Sequence, residues 1–405
     1  MDRTGLLSRC PVWFLLPIAA ASAQAQLFTG LGHLPSATSS SAFAVSADGS
    51  AVVGLSDHAF RWTAAGMQDL GTLPNGLTSQ AMAVNHDGSV VVGYSDTTRY
   101  TAFRWTSQGM QGLGTLGGPS YGYGVSGDGS VAAGYSPTTS GDRAFRWTAG
   151  TGMQNLGLLP DMNTSRAMAV SADGQTIVGY CLGFTTNRAF IWTAATDGMV
   201  SLGTFENGGS SYAYACSADG SVVVGAAIDA QGHSVAARWT PAGLISLGTL
   251  PTGTGSNAYA TSADGSVVVG NADSSGFQRA MLWTAATGIV DLNTYLPALG
   301  ANLTGWTLTR ATGLSADGRV ICGQAVHNGA SEAWVARLPA RCGSADFNCD
   351  GDTGTDADIE AFFACIAGAC PSAPCQSGAD FNGDGDTGTD ADIEAFFRVL
   401  GGGNC

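Results

Sequence analysis

The amino-acid sequence predicts an all-β protein, a seven-bladed β-propeller closed by an N-terminal strand and followed by a small α-helical module. Three observations support this prediction: a turn motif that recurs seven times, four short strand patterns in each repeat, and one isolated strand pattern before the first repeat. The repeat spacing of roughly 40–50 residues is typical of propeller blades. The turn motifs contain Asp48, Asp87, Asp128, Asp173, Asp219, Asp264 and Asp317.

The first repeat shows the pattern of one blade. Ala42–Val45 and Ala51–Gly54 have the pattern of short strands joined by the turn SADGS, and Ala59–Thr63 and Gln68–Leu73 have the pattern of two more. Asp-Gly and Gly-x pairs occupy the hairpin corners, where glycine adopts a positive φ at little cost. Strands such as VVVG are apolar on both faces, as expected of sheets packed between two neighbours. We expect no helix before residue 341, because no helical periodicity appears there.

The two ends of the repeat array complement each other. The seventh repeat stops after Ala333–Leu338 and lacks a fourth strand, whereas Leu27–Pro35 is a fourth-strand pattern with no repeat of its own. We therefore expect the N-terminal strand to complete the last blade. Such closure removes the open sheet edges through which strands aggregate.

Three segments are predicted along the chain. Residues 1–25 carry arginines, a short apolar run and two A-x-A sites, the pattern of a secretory signal peptide. Residues 26–341 form the propeller, and residues 342–405 form a cysteine-rich module. We expect a secreted protein, extracellular or at the cell surface, since no later segment is long and apolar enough to span a bilayer.

Charge and cysteine are concentrated in the last segment. Residues 342–405 hold 12 of the 31 acidic residues and one arginine, so they carry −11 of the formal charge of −15. Nucleic acid and anionic membranes bind basic surfaces, so neither is expected as a partner. Cysteines in a small exported module are typical of disulfides, and six cysteines allow 15 pairings. These six are Cys342, Cys349, Cys365, Cys370, Cys375 and Cys405.

Catalytic signatures in the propeller sequence are weak. It contains no H-E-x-x-H zinc motif. Glu206 and Glu332 are the only glutamates outside the tail, so a glycosidase with paired carboxylates would depend on aspartate. The turn aspartates are expected to accept backbone hydrogen bonds. One tryptophan follows each turn, at what we take to be the same position in every repeat, and is expected to pack between blades: Trp62, Trp105, Trp147, Trp192, Trp239, Trp283 and Trp334.

A binding face is expected where the repeats differ. Connections after the second and fourth strands of a propeller blade emerge on one face, and here they vary, while the tight turns of the other face are uniform. Variable loops on a rigid scaffold are a common place for binding. Several tyrosines lie where such loops enter the innermost strand, either to stack on sugar rings or to pack near the channel. They are Tyr121, Tyr123, Tyr212, Tyr214 and Tyr259.

The tail contains two copies of a calcium-loop pattern. DFNCDG begins at Asp346 and DFNGDG at Asp380, and both continue as DTGTDADIEAFF. Alternate residues of such a loop direct oxygens to Ca²⁺, and its glycine allows a sharp turn. The predicted ligands are Asp346, Asn348, Asp350, Asp352 and Asp358 in the first loop, and Asp380, Asn382, Asp384, Asp386 and Asp392 in the second. Asp358 is the thirteenth residue of its loop where a twelfth is usual, so Asp356 is an alternative closing ligand.

Two family resemblances add to this interpretation. The repeats, with HAFRWT at His58–Thr63, resemble the HAF-family extracellular repeat over roughly Gln26 to Pro339, which implies secretion without a settled activity. The paired acidic loops resemble a dockerin domain, and the cysteines make the tail similar to the GC-type dockerin-like domains of exported bacterial proteins. The second resemblance implies a cohesin-like or other surface protein as partner.

Our leading hypothesis is an exported, non-enzymatic propeller that presents a binding face to carbohydrate or protein and is tethered by its calcium-dependent tail. The alternative is a carbohydrate-active enzyme, a polysaccharide lyase or hydrolase, because dockerins often accompany such domains. A structural surface-layer component with no small ligand is a third hypothesis. Acidic groups that converge with Arg or His at the channel mouth would favour the enzyme, whereas an aromatic, neutral rim would favour binding.

Overall fold

The computed structural model describes residues 27–206, 208–339, 346–348, 354–370, 379–382 and 387–401. The predicted signal peptide, residues 1–25, lies outside this part of the chain. Seven four-stranded antiparallel sheets surround a central channel, which confirms the predicted seven-bladed β-propeller.

The strands are numbered along the chain. Blade 1 contains β2 (Ser41–Val45), β3 (Val52–Ser56), β4 (His58–Thr63) and β5 (Gly66–Asp69). Blade 2 contains β6 (Ser79–Val84), β7 (Val91–Asp96), β8 (Tyr100–Thr106) and β9 (Gly109–Gly112). Blade 3 contains β10 (Tyr121–Val125), β11 (Val131–Thr138), β12 (Gly141–Thr148) and β13 (Gly152–Asn155). Blade 4 contains β14 (Thr164–Val170), β15 (Thr176–Leu182), β16 (Asn187–Thr193) and β17 (Gly198–Ser201).

The remaining blades follow the same order. Blade 5 contains β18 (Ser211–Cys216), β19 (Val223–Ile228), β20 (Ser234–Thr240) and β21 (Gly243–Gly248). Blade 6 contains β22 (Ser256–Thr261), β23 (Val267–Ser274), β24 (Phe277–Thr284) and β25 (Gly288–Asp291), and helix α1 (Leu292–Ala298) follows it. Blade 7 contains β26 (Trp306–Leu314), β27 (Val320–His327), β28 (Ala330–Arg337) and the N-terminal strand β1 (Phe28–Gly30).

The N-terminal strand closes the ring, as predicted. β1 pairs antiparallel with β28, and Phe28 lies opposite Ala336. The Phe28 ring is buried, with its centroid 5.0 Å from that of Trp306 and 6.0 Å from that of Trp334. Strand pairing and aromatic packing therefore both hold the first strand in the last blade.

Three predicted details of the propeller are wrong. The fourth strand, expected over Gln68–Leu73, ends at Asp69, because Gly71 has a φ of +71° and Leu73 turns into the core between blades 1 and 2. Helix α1 precedes residue 341; it is capped by the Asp291 side chain, which accepts from the backbone of Asn293. Its seven residues are too few to show periodicity.

The third error concerns the last tryptophan. Trp334 lies opposite Gly323, as Phe60 lies opposite Gly54, so it occupies the position of Phe60 and not that of Trp62. A shift of two residues leaves a side chain on the same face of a strand. Trp334 therefore still packs in the core, where it is fully buried.

A glycine and a β-bulge recur beside the channel. In blade 6 the register of the innermost strand shifts between Ala258 and Ala260, opposite Gly270. A Cβ atom on Gly270 would overlap the backbone carbonyl oxygen of Asn257, so only glycine fits there. Bulges re-aim side chains, and the same combination recurs in the other blades.

The repeated turn is a local hydrogen-bond structure, in agreement with the prediction. In blade 6 the Ser262 hydroxyl donates to Asp264 Oδ1 (2.6 Å) and accepts from the backbone N–H of Val267 (3.0 Å). The backbone N–H of Ser266 donates to the same carboxylate oxygen (2.9 Å), and Gly265 has a φ of +72°. The aspartate carboxylate is thus hydrogen-bonded within its own turn.

The seven turns are joined into a ring that the sequence analysis does not foresee. One backbone N–H of each turn donates to a carbonyl oxygen of the next blade's turn, with N···O distances of 2.8 to 3.1 Å. The seven hydrogen bonds run from Asp48 to His86, His86 to Gly127, Gly127 to Ala172, Ala172 to Ala218, Ala218 to Ala263, Ala263 to Ala316, and Ala316 to Ala47. Together they surround a cavity of about 170 Å³ at this end of the channel.

The described part of the tail contains two helices of 11 residues, α2 (Asp356–Ile366) and α3 (Asp390–Leu400). Their aromatic side chains, with those of the loops before them, form one buried cluster: Phe347, Phe362, Phe381 and Phe396. Cys365 and Cys370 form a disulfide, and the other four tail cysteines lie outside the described residues. None of the described helices is long and apolar enough to cross a membrane.

Candidate functional site

The two ends of the channel differ in their surface. We call the end with the seven repeated turns the turn face, and the end with the connections between the second and third strands and between blades the loop face. Three of the most exposed apolar side chains lie on the loop face: Leu77, Phe184 and Phe277 are 80%, 95% and 64% exposed. Exposed apolar groups of this size often mark interaction surfaces.

Nine of the ten tyrosines gather where the loop face meets the channel. We call this group the tyrosine arc; it extends over blades 2 to 6. Its members are Tyr94, Tyr100, Tyr121, Tyr123, Tyr135, Tyr180, Tyr212, Tyr214 and Tyr259. Each ring lies within 6 Å of another, for example 4.8 Å between the centroids of Tyr121 and Tyr135 and 5.2 Å between those of Tyr180 and Tyr212. None of the nine is fully buried.

The repeat itself positions the arc. The innermost strand of each blade is entered through a buried serine or an equivalent residue, and the next residue pairs with the one that follows the VVVG-type glycine of the second strand. In blade 3 these two residues are Tyr121 and Tyr135, and in blade 4 they are Arg166 and Tyr180. The residue two positions before the buried alanine of the third strand reaches the same seam from the preceding blade, as Asp142 and Asn187 do. Each seam between blades thus carries three side chains that the fold leaves free to vary.

Two of the tyrosine hydroxyls make specific hydrogen bonds. Burial raises the pKa of Tyr94 to about 12, so its phenol is neutral at physiological pH. Its hydroxyl donates to Gln80 Oε1 (2.8 Å), and the Asn187 side-chain amide donates to the Tyr212 hydroxyl (2.6 Å). The arc therefore presents flat apolar rings with polar edges that can both donate and accept hydrogen bonds.

An ion pair interrupts the arc between blades 3 and 4. The Arg166 guanidinium donates from two nitrogens to Asp142 Oδ2, at 3.0 and 2.6 Å, and lies 4.5 Å above the centroid of Tyr135. A positive charge over an aromatic face is attracted by the ring. The pair contributes no net charge, so this stretch of the channel mouth is aromatic and neutral.

Histidines and carboxylates do not converge among the residues that the structure describes. No group of three His, Cys, Asp or Glu side chains close enough to hold a metal occurs there. His58 pairs with Asp69, His233 with Asp229, and His327 with Glu332, each on a separate blade. The last pair supports the ring closure, because Glu332 Oε1 accepts from the backbone N–H of Gly32 (3.0 Å).

Six of the ten predicted calcium ligands lie in the described residues: Asp346, Asn348, Asp358, Asp380, Asn382 and Asp392. The calcium assignment stays a prediction, since Asp350, Asp352, Asp384 and Asp386 lie outside them. Asp358 is fully buried as the third residue of α2. Its Oδ1 accepts from the backbone N–H groups of Phe347 (2.8 Å) and Asn348 (3.3 Å).

The other oxygen of Asp358 is also occupied. Asp358 Oδ2 accepts from the backbone N–H and the hydroxyl of Thr355, both at 2.9 Å. Asp392 makes the equivalent four hydrogen bonds with Phe381, Asn382 and Thr389. A carboxylate offers about four lone-pair sites, so these two aspartates fasten each loop to the start of its helix.

Sequence reasoning found five members of the tyrosine arc and missed the role of the others. Tyr94, Tyr135 and Tyr180 lie on second strands, and only the pairing of strands brings them beside the innermost tyrosines. The signal was available in aligned repeats, since all three directly follow the VVVG-type glycine.

Comparison with known proteins shows similarity in fold. No protein family matches the sequence, and no curated protein matches it. TolB from Acinetobacter baumannii is 16% identical with a TM-score of 0.43, over 60% of this chain and 63% of that one, so the chain spans less than two thirds of TolB. An oligogalacturonate lyase from Vibrio parahaemolyticus is 10% identical with a TM-score of 0.53, over 77% and 96% of the two chains.

A prolyl endopeptidase is also similar, at 12% identity and a TM-score of 0.50, over 74% of this chain and 50% of that one. Identities this low carry no information about activity, because one fold hosts many functions. The comparisons therefore establish the propeller fold and leave the function to be inferred from the channel mouth.

Proposed function

We propose that this protein is an exported, non-enzymatic β-propeller that binds carbohydrate at the tyrosine arc and is tethered through a calcium-dependent tail. The gathering of nine of ten tyrosines at one end of the channel carries the proposal. Partly exposed aromatic rings offer flat apolar surfaces for the apolar faces of sugar rings, and their hydroxyls offer partners for sugar hydroxyls. The exposed Phe184 and Phe277 on the surrounding loops extend this surface toward a longer chain.

The carboxylates around the channel mouth support binding over catalysis. Asp142 is held by Arg166. Asp96 accepts from the backbone N–H groups of Leu77 (2.7 Å) and Thr78 (2.5 Å). General acid–base chemistry needs a carboxyl group that reaches the substrate and exchanges a proton with it. Carboxylates engaged in this way serve the scaffold.

Binding of the full mature chain to an array of neutral and acidic polysaccharides tests the proposal. We expect binding to at least one class, and Tyr121→Ala and Tyr212→Ala to weaken it by about three- to tenfold each through lost ring contact. Tyr212→Phe should have a smaller effect. Val200→Ser, which removes an exposed apolar side chain on the outermost strand of blade 4, is the matched control.

Two outcomes would contradict the carbohydrate proposal. The first is that no polysaccharide binds. The second is that the two alanine variants bind as tightly as the wild type. Release of shortened sugars from a bound polysaccharide would instead favour the enzyme hypothesis.

For the tail we propose that Asp346, Asn348, Asp350 and Asp352 hold one Ca²⁺, and Asp380, Asn382, Asp384 and Asp386 a second. The bound cations would offset the repulsion among the acidic residues of the tail. Because donors already occupy both oxygens of Asp358, we assign the closing position to the exposed Asp356, the first residue of α2. In the second loop Asp390 takes the equivalent position.

Calcium titration of the full chain by calorimetry tests this assignment. We expect Asp356→Asn to lower the calcium affinity about tenfold, and Glu360→Gln, which removes an exposed charge from the same helix, to leave it unchanged. Asp358→Asn should lower the melting temperature of the tail even in excess calcium, because it loses acceptors for buried N–H groups. Absence of calcium uptake would refute the metal; loss of one bound ion in Asp358→Asn alone would refute the assignment.

A further inference from the structure

Two arginines occupy equivalent positions at the channel mouth. Arg166 follows the buried Ser165 on β14 and pairs with Tyr180 on β15. Arg310 has the same place on β26 and pairs with Gln324 on β27. Each therefore faces the seam between its own blade and the preceding one.

The two arginines differ in the residue that the preceding blade places across the seam. Blade 3 supplies Asp142 as the first charged residue of its third strand, and this carboxylate pairs with Arg166 at 2.6 Å. In blade 6 the corresponding residue is Gln278, which has no charge. The Arg166 side chain is 32% exposed, whereas Arg310 is an exposed residue of β26.

Among the described residues, no carboxylate forms an ion pair with Arg310. The acidic residues of blades 6 and 7 have other partners. They are Asp264 and Asp317 in the repeated turns, Asp273 on β23, which accepts from the backbone of the loop before β22, Asp291 at the cap of α1, and Glu332 beside His327. Within the described part of the chain, Arg310 thus has no ion-pair partner.

Arg310 also lies beside the end of the tyrosine arc. Tyr259 lies on β22 and Arg310 on β26, the innermost strands of blades 6 and 7, which pack against each other at the channel. Burial raises the pKa of Tyr259, and the positive charge of Arg310 opposes this rise. Tyr259 is linked to the rest of the arc through Tyr214, at 5.7 Å between ring centroids. A ligand stacked on Tyr214 and Tyr259 would meet the guanidinium at its edge.

We propose that Arg310 binds an anionic substituent, a carboxylate or a sulfate, of the saccharide held by the tyrosine arc. This inference rests on the proposed carbohydrate binding and specifies the chemical class of the ligand. A guanidinium binds planar oxyanions through two parallel N–H donors. An unpaired arginine next to aromatic rings therefore selects acidic over neutral sugars, whereas the paired Arg166 does not.

Affinities of the full mature chain for three probes test the inference: tetragalacturonate, its methyl ester, and a sulfated galactan oligosaccharide. We expect the acid to bind about tenfold or more tightly than the ester. Arg310→Gln should remove that difference, and Arg310→Lys should restore part of it. Arg99→Gln, which removes one exposed charge elsewhere on the loop face, is the matched control.

The outcomes separate this inference from the proposal on which it rests. Preferential binding of the sulfated probe over the acid, lost in Arg310→Gln, would identify sulfate as the anion. Equal affinities for acid and ester, with Tyr212→Ala still weakening both, would overturn the role of Arg310 and keep carbohydrate binding. An equal loss in Arg99→Gln would reduce the effect to overall charge and overturn the inference. If none of the probes and no polysaccharide binds, the role of Arg310 and the proposed carbohydrate binding are both wrong.

Discussion

The turn face and the loop face are built from the same seven repeats, yet they differ in what the repeats hold constant. On the turn face an aspartate and a glycine recur in all seven turns, and backbone hydrogen bonds join the turns into a ring. On the loop face the residue after the entering serine differs from blade to blade: Ser41, Gln80, Tyr121, Arg166, Tyr212, Asn257 and Arg310. Constant residues make the ring, and variable residues make the candidate site.

This division has a physical reason. One carboxylate oxygen of the turn aspartate accepts hydrogen bonds from neighbours within its own turn, so the residue can recur without regard to any ligand. The variable residues lie where each innermost strand begins, and their backbones keep the regular strand pairing, as with Tyr121 opposite Tyr135 and Arg166 opposite Tyr180. Their side chains can change without loss of backbone hydrogen bonds. The residues that stabilise the repeat and the residues of the candidate binding site therefore lie at opposite ends of the channel.

The largest expected effect comes from removing what both faces share, the closed ring. Deletion of residues 27–35 exposes the edge of β28 and uncovers the core around Trp306 and Trp334, so we expect misfolding or aggregation. Phe28→Ala alone should cost about 3 kcal/mol, because it empties a buried aromatic site. Size-exclusion chromatography and thermal unfolding measure both. A monomeric deletion protein with the wild-type melting temperature would disprove closure by β1.

A smaller effect is expected at the junction of the two faces. Gly270→Ala forces a Cβ atom onto the backbone carbonyl of Asn257, so the bulge must move and we expect a loss of about 3 kcal/mol or more. Gly150→Ala is the control, because open space surrounds that position. Denaturant unfolding measures the difference. Equal stability of the two variants would mean that the bulge tolerates a side chain.

Changes confined to the turn face should lower stability and spare ligand binding. Ser262→Ala leaves the buried N–H of Val267 without an acceptor, for an expected loss of about 2 kcal/mol. Asp264→Ala should cost about 1 kcal/mol, within the range of ordinary point changes. Unfolding and saccharide-binding measurements on the same samples check both. Loss of binding without loss of stability would assign the turn to the site.

The smallest expected effect is a loss of folding stability at acidic pH. Hydrogen bonds from Ser217 and Ser221 lower the pKa of Asp219 to about 2, against an ordinary value of 3.8. A lowered folded-state pKa stabilises the fold above about pH 4, and this stabilisation is lost as the pH falls toward about 2. The pKa is also lowered in five other turns, at Asp48, Asp87, Asp128, Asp173 and Asp264.

Melting temperatures between pH 5 and pH 2.5 check this expectation. Asp219→Asn should show a shallower fall over this range than the wild type, because one of the titrating groups is gone. Identical slopes for the two proteins would show that the turn carboxylate does not contribute.

The sequence predicted the features that a single repeat encodes. Blade number and turn chemistry were correct because Asp-Gly corners and short apolar strands are local signals, and ring closure followed from counting strands at the two ends. The register of Trp334 was missed because a shift of two residues preserves the alternation of faces. Helix α1 was missed because its stability depends on Leu292 and Leu296 packing against blades 6 and 7.

About half of the candidate site could likewise be predicted from single repeats. Tyr121 and Tyr212 mark the innermost strands in the sequence itself. Arg310 and Arg166 could not be told apart from the sequence, because their difference depends on which residue the preceding blade places across the seam. Such a contact joins positions more than 20 residues apart and arises only when neighbouring blades pack.

Closure by β1 also imposes an order of events on a newly made chain. The backbone N–H of Gly32 contacts Glu332, 300 positions later. Ribosomes add roughly 5–20 residues per second, so the first strand waits about 15 to 60 s for its partner during synthesis. Over that interval Phe28 and the pairing edge of β1 stay available to other chains. Pairing of β1 with β28 is therefore the slow, concentration-sensitive step of folding. A chaperone that shields the first strand would raise the yield of native protein.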